Sequence, residues 1–332
     1  MFKKQIFCIF LLFFIKANAS VNEPLSFTLK AGYRQNYLSW KSLSDTESEL
    51  LIYQEKYKKQ NMVDLEAELY SIHRDIYFSL EGGFAGLFNS DAYQRYDQLD
   101  FTADKPRLSF DAKGTDWHVF GLLGIAANLT QGRYYKWIIV PVFGYGGYWT
   151  SIKRKATKPE SLALSDPSGA GIQSSYINSK LSDKNLEDNW HGPAIGAHII
   201  VDPGTMVVFD FSYLFNWLNL HHDSLVELKK QDFSASGLAV ETIITQSEKI
   251  SSSSSYGHIV KAKASCQLSK KFLTSFTAKY QYFVSDKKEH IQKEIETKQV
   301  FPSPSTSILR TKDKFIIRWW YLSFVLDLSY RF

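Results

Sequence analysis

The stretch "FVLDLSYRF", residues 324–332, alternates with a period of two. Carried back to Tyr321, it places Leu322, Phe324, Leu326, Leu328, Tyr330 and Phe332 on one face. Tyr321, Ser323, Val325, Asp327, Ser329 and Arg331 fall on the other. One face is uniformly apolar and the other mostly polar. A soluble sheet covers such an apolar face with a second layer, whereas a membrane barrel turns it toward lipid. The rest of the chain must decide between these.

The same alternation recurs. In "TMVVFDFSYLFNWLN" Val207, Phe209, Phe211, Tyr213, Phe215 and Trp217 oppose Asp210, Ser212 and Asn216, with Met206, Val208, Leu214 and Leu218 diluting the polar face. "KFLTSFTAKYQYF", "IVKAKASCQL" and "VDLEAEL" repeat the pattern. "YKWIIVPVFGYGGYW" and "WHVFGLLGIAANL" are apolar or small on both faces, and Pro141 predicts a local irregularity. The spacing predicts ten strands, near 24–35, 48–71, 73–89, 113–129, 134–151, 188–202, 205–220, 255–268, 271–288 and 313–332.

Their connections alternate strictly in length. "SIHRD", "LTQGR", "DPGT" and "LSKK" are tight, while 36–47, 90–112, 152–187, 221–254 and 289–312 are long and polar. Long structureless loops are uncommon in compact soluble domains. On a transmembrane antiparallel up-and-down β-barrel they belong at one rim, with short turns at the other. Ten strands bring the first beside the last and leave the sheet without edges. An all-β barrel of about ten strands, with long external loops and short periplasmic turns, is therefore the expected fold. A secreted β-sandwich is the alternative.

Export is also expected. "MFKKQIFCIFLLFFIKANAS" has a basic start, a short apolar run and Ala17-Asn18-Ala19, the layout of a cleavable signal over residues 1–19. Residues 20–332 then form one barrel domain in a bacterial outer membrane. Cys266 remains alone, which excludes an intrachain disulfide. The net charge of +5 is scattered and gives no basic face for nucleic acid. The expected partners are outer-membrane lipid, lipopolysaccharide and, through the strand ending in Phe332, the barrel-assembly machinery.

With the apolar parity toward lipid, Lys30, Asp64, Glu66, Glu68, Glu81, Asp210, Lys261, Lys263, Lys279, Asp327 and Arg331 face the lumen. Acids concentrate on the second and third strands and lysines on the eighth and ninth. Ten strands sit close to the eight that leave room only for side chains. A mostly plugged lumen with charges satisfied in place is expected, against the alternative of an ion path.

"LKAGYRQNYLSWKSLSDTESELLIYQ", "FNSDAY" and the closing "SYRF" resemble an outer-membrane protein family of chlamydia-like bacteria, the Protochlamydia type. That resemblance implies a membrane barrel with porin-like roles in some members. The ten-strand layout also resembles the omptins, outer-membrane proteases with five external loops. This second resemblance implies an acidic pair in the second long loop, drawn from Asp91, Asp97 and Asp100. It also implies an Asp–His pair in the fourth, drawn from His221, His222 and Asp223, which would activate a water for amide attack. The pattern departs from the omptins on both sides. Asp97 and Asp100 are separated by two residues, not one, and both histidines precede Asp223.

No metal or cofactor is expected: adjacent His221 and His222 project to opposite faces, and Gly-x-Ser-x-Gly, His-Glu-x-x-His and paired-Cys motifs are missing. The sequence thus points to a narrow porin-like channel or a surface structural barrel, with an omptin-like endopeptidase as the alternative.

Overall fold

The computed structural model describes residues 23–43, 51–97, 107–129, 136–156, 162–164, 173–178, 185–233, 239–285, 292–301, 305–311 and 314–332. Residues 1–19, read above as an export signal, lie outside the described residues, as does most of "LTQGR". Ten strands form the wall: β1 (Glu23–Leu43), β2 (Leu51–His73), β3 (Ile76–Asp97), β4 (Arg107–Ile125), β5 (Lys136–Ala156), β6 (Asn185–Asp202), β7 (Val207–Phe233), β8 (Ala239–Gln267), β9 (Phe272–Ser285) and β10 (Lys314–Arg331). Each pairs antiparallel with its sequence neighbours. β1 closes on β10 from Ser26↔Arg331 to Leu43↔Lys314. The fold is a closed ten-stranded up-and-down barrel.

Following the register from Lys30 through β2 to β6 arrives on β7 at Leu220. The other way round, through β10, β9 and β8, arrives at Val208. A stagger of about 12 residues round ten strands corresponds to a tilt of roughly 40° and a radius of roughly 10 Å. Long inward side chains from opposite walls therefore meet at the axis.

On β10 the opening parity holds: Phe324, Leu326 and Leu328 are exposed, while Trp319, Tyr321, Val325 and Asp327 are buried. Leu29, Leu65, Phe84, Val119, Phe143, Phe211, Val260 and Phe276 continue the exposed belt around the wall. Aromatic groups bound it. Phe272–Tyr330 lies toward the short-turn rim, and the stacked pairs Tyr37–Trp320 and Trp117–Trp149 lie toward the other. The ten residue steps of β10 from Tyr330 to Trp320 rise roughly 25 Å at this tilt, the height of the apolar band on outer-membrane barrels.

The turns follow their residues. Arg74 and Asp75 both take positive φ, 48° and 68°, the two-residue hairpin geometry that matches strand twist. In "DPGT" Gly204 has φ 71° and donates its N–H to Asp202 Oδ1 at 2.9 Å. The irregularity expected at Pro141 takes the form of lost pairing without a register shift. β4 pairs β5 as far as Gly124↔Val142 and the ladder resumes at Ala127↔Ile139. Between them the Ala126 N–H donates to the Asp75 carbonyl at 2.7 Å.

The long connections differ from expectation. Residues 221–254, read as loop, continue β7 to Phe233 and start β8 at Ala239. Residues 289–312 carry a hairpin, Gln292–Phe301 with Ser305–Thr311, that pairs onto β8. Within 152–187, Gln173–Asn178 pairs onto β7. Past the apolar band the outward residues turn polar, as at His221 and Asp223, while the inward His222 and Ser224 are buried, so the hydrogen-bond ladder continues without an apolar row to reveal it. The 27 residues of β7 reach roughly 70 Å, far more than a bilayer core requires.

Candidate functional site

The lumen is filled in layers. In the middle, Lys30 Nζ lies 2.9 Å from Glu81 Oε2, 3.0 Å from Glu68 and 3.5 Å from Glu66. Lys279, from β9, crosses to β2 and β3, with Nζ 3.2 Å from Glu66 Oε1 and 3.0 Å from Glu81 Oε1. Lys261 adds a 2.7 Å contact to Glu81 Oε2. Above them Arg34 donates Nε and Nη2 to the two oxygens of Asp64, at 3.1 and 2.8 Å, under a hydroxyl bond from Ser323. Its guanidinium lies 4.3 Å from the Tyr321 ring centroid and 3.6 Å from Asp116, which Asn36 also contacts. Apart from the partly exposed Glu68 and Lys261, these side chains are almost fully buried, where ions persist only when directly paired.

An aromatic layer covers this network. Tyr148 meets Phe283 and Trp319 with centroids 4.9 and 5.7 Å apart, Phe283 meets Trp319 at 5.2 Å, and Trp190 meets Phe283 at 5.7 Å. Four strands thus contribute rings to one plug. Glycines make the room: a Cβ on Gly146 would fall 2.0 Å from the Phe120 ring, and one on Gly257 2.1 Å from Phe283.

On the short-turn side lies a cavity of about 250 Å³, lined among others by Lys30, Lys261, Lys263, Glu68, Asp210 and Arg331. There His198 lies 3.7 Å from Asp210 and 3.4 Å from the Tyr77 hydroxyl. Asp327 accepts a 2.7 Å bond from Thr277 and lies 4.0 Å from Lys263. All eleven residues assigned to the lumen from parity therefore lie on the interior network or the cavity wall.

Toward the long-hairpin rim a histidine–carboxylate pair is buried. His222 Nδ1 and Asp188 Oδ1 are 2.5 Å apart, and the Trp40 ring meets His222 edge-on at 6.3 Å. The grouping expected from sequence is corrected here. His221 and Asp223 point outward: His221 contacts Ser251 and stacks near His191, and Asp223 lies 3.8 Å from Lys249. Parity separates neighbours on a strand, so the carboxylate for His222 comes from the adjacent strand, where His222↔Asp188 are register partners. Asp91 and Asp97 lie on β3, Asp91 opposite Asp111, and Asp100 lies outside the described residues.

Sequence reading missed Arg34, His118, Asp116, Asp188 and the aromatic plug. Parity carried the signal, since Arg34 shares a face with Lys30 and Asp188 shares one with Trp190. No charge cluster in the linear sequence marks them.

No family model and no curated protein matches the chain. Among solved structures it is similar to the outer membrane protease OmpT of Escherichia coli, at TM-score 0.61 and 11% identity over 96% of this chain and 100% of that one. The translocator domain of autotransporter NalP from Neisseria meningitidis matches at TM-score 0.32 and 12% identity over 93% and 89%. The Ralstonia pickettii toluene transporter TbuX matches at 0.32 and 9% over 94% and 90%. The likeness to OmpT is one of fold.

Proposed function

We propose that the chain is an integral protein of a bacterial outer membrane whose lumen is sealed to ions and whose work is done at the surface by its projecting polar hairpins. The supporting observation is the cross-lumen contact of Lys279 with Glu66 and Glu81, roofed by the aromatic plug. A hydrated ion needs a continuous wet path, and this stack offers paired charges followed by packed rings. Lipid meets the apolar belt, and lipopolysaccharide meets the aromatic ring nearer the hairpins. In planar bilayers the wild-type protein is expected to show no resolvable conductance steps. Trp319→Ala combined with Phe283→Ala, which removes two of the plug's four rings, is expected to produce them. Regular steps from the wild-type protein would favour the porin-like reading instead.

A second reading, an outer-membrane hydrolase, draws on the 2.5 Å His222–Asp188 contact, because a carboxylate-oriented histidine is a general base. Its burial beside Trp40 opposes access by a polypeptide. Incubation with basic peptides in lipopolysaccharide is expected to leave them intact. Cleavage that disappears in His222→Ala would establish the hydrolase.

A further inference from the structure

His118, on β4, is among the buried interior residues whose polar atoms lack hydrogen-bond partners among the described residues. It is 1% exposed, and both of its ring nitrogens are in that position. Its ring stacks on Tyr148 at 5.4 Å, which fixes where Nε2 points. That atom lies 3.5 Å from Glu66 Oε1 and 3.6 Å from Glu81 Oε1, longer than a hydrogen bond. Lys279 Nζ lies 3.2 and 3.0 Å from the same two oxygens. In a tetrahedron of metal–ligand bonds near 2.1 Å, the ligand atoms stand about 3.4 Å apart. The two His118 separations stand close to that edge, and the three ligand atoms all lie within 4.8 Å of one another. The strand beneath also leaves space for the site: a Cβ on Gly83 would fall 2.5 Å from His118 Cε1 and 2.8 Å from Glu66 Cγ.

We propose that Glu66, Glu81 and His118 form a binding site for one divalent transition-metal ion of the zinc type, which replaces the Lys279 ammonium at the two carboxylates. One imidazole and two carboxylates make a zinc-type donor set, with a fourth position left for water. Lys30 and Lys261, which touch the far oxygen of Glu81, also line the short-turn cavity, so they stand between that cavity and the site. The surrounding lysines oppose a dication, and Lys279 opposes it most directly. Removing Lys279 must therefore tighten binding.

The full chain, refolded in detergent and stripped with chelator, is titrated with Zn²⁺ and with Co²⁺. The expected result is one Zn²⁺ per chain by calorimetry and metal analysis, with Co²⁺ giving the intense visible bands of a four-coordinate ion. His118→Gln is expected to abolish stoichiometric binding, and Lys279→Met to tighten it at least about tenfold. Glu81→Gln supplies a second loss-of-site variant, and heat-modifiable gel mobility shows which variants are folded. Equal binding by the wild-type and His118→Gln proteins would place the ion elsewhere and overturn the proposal. So would failure of Lys279→Met to bind, which would leave the cluster a plain ion-pair network. Conductance does not enter this test, so the sealed-lumen reading stands or falls separately.

Discussion

Replacing Arg34 by methionine is expected to destabilise the barrel by about 3–5 kcal/mol, because it strands a buried carboxylate. Arg34 is fully buried, and its guanidinium supplies two parallel bonds to Asp64, itself 0% exposed. It also faces Asp116 at 3.6 Å. Methionine matches the stem but returns none of those donors, and the Ser323 hydroxyl alone cannot balance a charge. Adding Asp64→Leu removes the stranded charge and is expected to recover most of the loss, since buried pairs replaced by packed apolar groups are often neutral. Guanidinium unfolding in detergent micelles, followed by tryptophan fluorescence, measures both variants. A loss below about 1 kcal/mol in the single variant would mean that water reaches this layer and screens the pair.

The second large effect concerns the outside. Leu326→Arg is expected to cost about 2–4 kcal/mol in lipid vesicles, the cost of an arginine on the lipid face near the bilayer midplane. Ile308→Arg, on the hairpin strand Ser305–Thr311, is expected to cost close to nothing. The two leucine-sized side chains are similarly open, 67% and 56% exposed. Water around both would make the substitutions equivalent. Only hydrocarbon around the first separates them.

How much of this was legible follows from what each residue faces. Phe324, Leu326 and Leu328 could be read as outward because lipid demands an unbroken apolar row, and a period of two survives in the linear sequence. The lumen charges could be read from the complementary parity. Continuation of β7 beyond Leu220 was not legible, because its outward His221 and Asp223 are as polar as its inward His222 and Ser224, which leaves no hydrophobic alternation. Nor was the partner of His222: Asp188 lies 34 residues away, and only the β6–β7 register brings them together. The plug was hidden for a further reason. Tyr148, Trp190, Phe283 and Trp319 stand inward among polar residues, and an inward aromatic looks the same in sequence as one at the membrane interface.

The most direct test places single cysteines along β10 in a Cys266→Ala background, attaches a nitroxide, and measures oxygen accessibility by electron spin resonance in lipid vesicles. Labels at positions 324, 326 and 328 are expected to relax strongly with oxygen, which concentrates in hydrocarbon, and labels at 323, 325 and 327 weakly. Uniform accessibility along the strand, or the opposite parity, would contradict a barrel that shows its apolar face to lipid and keeps its charge inside.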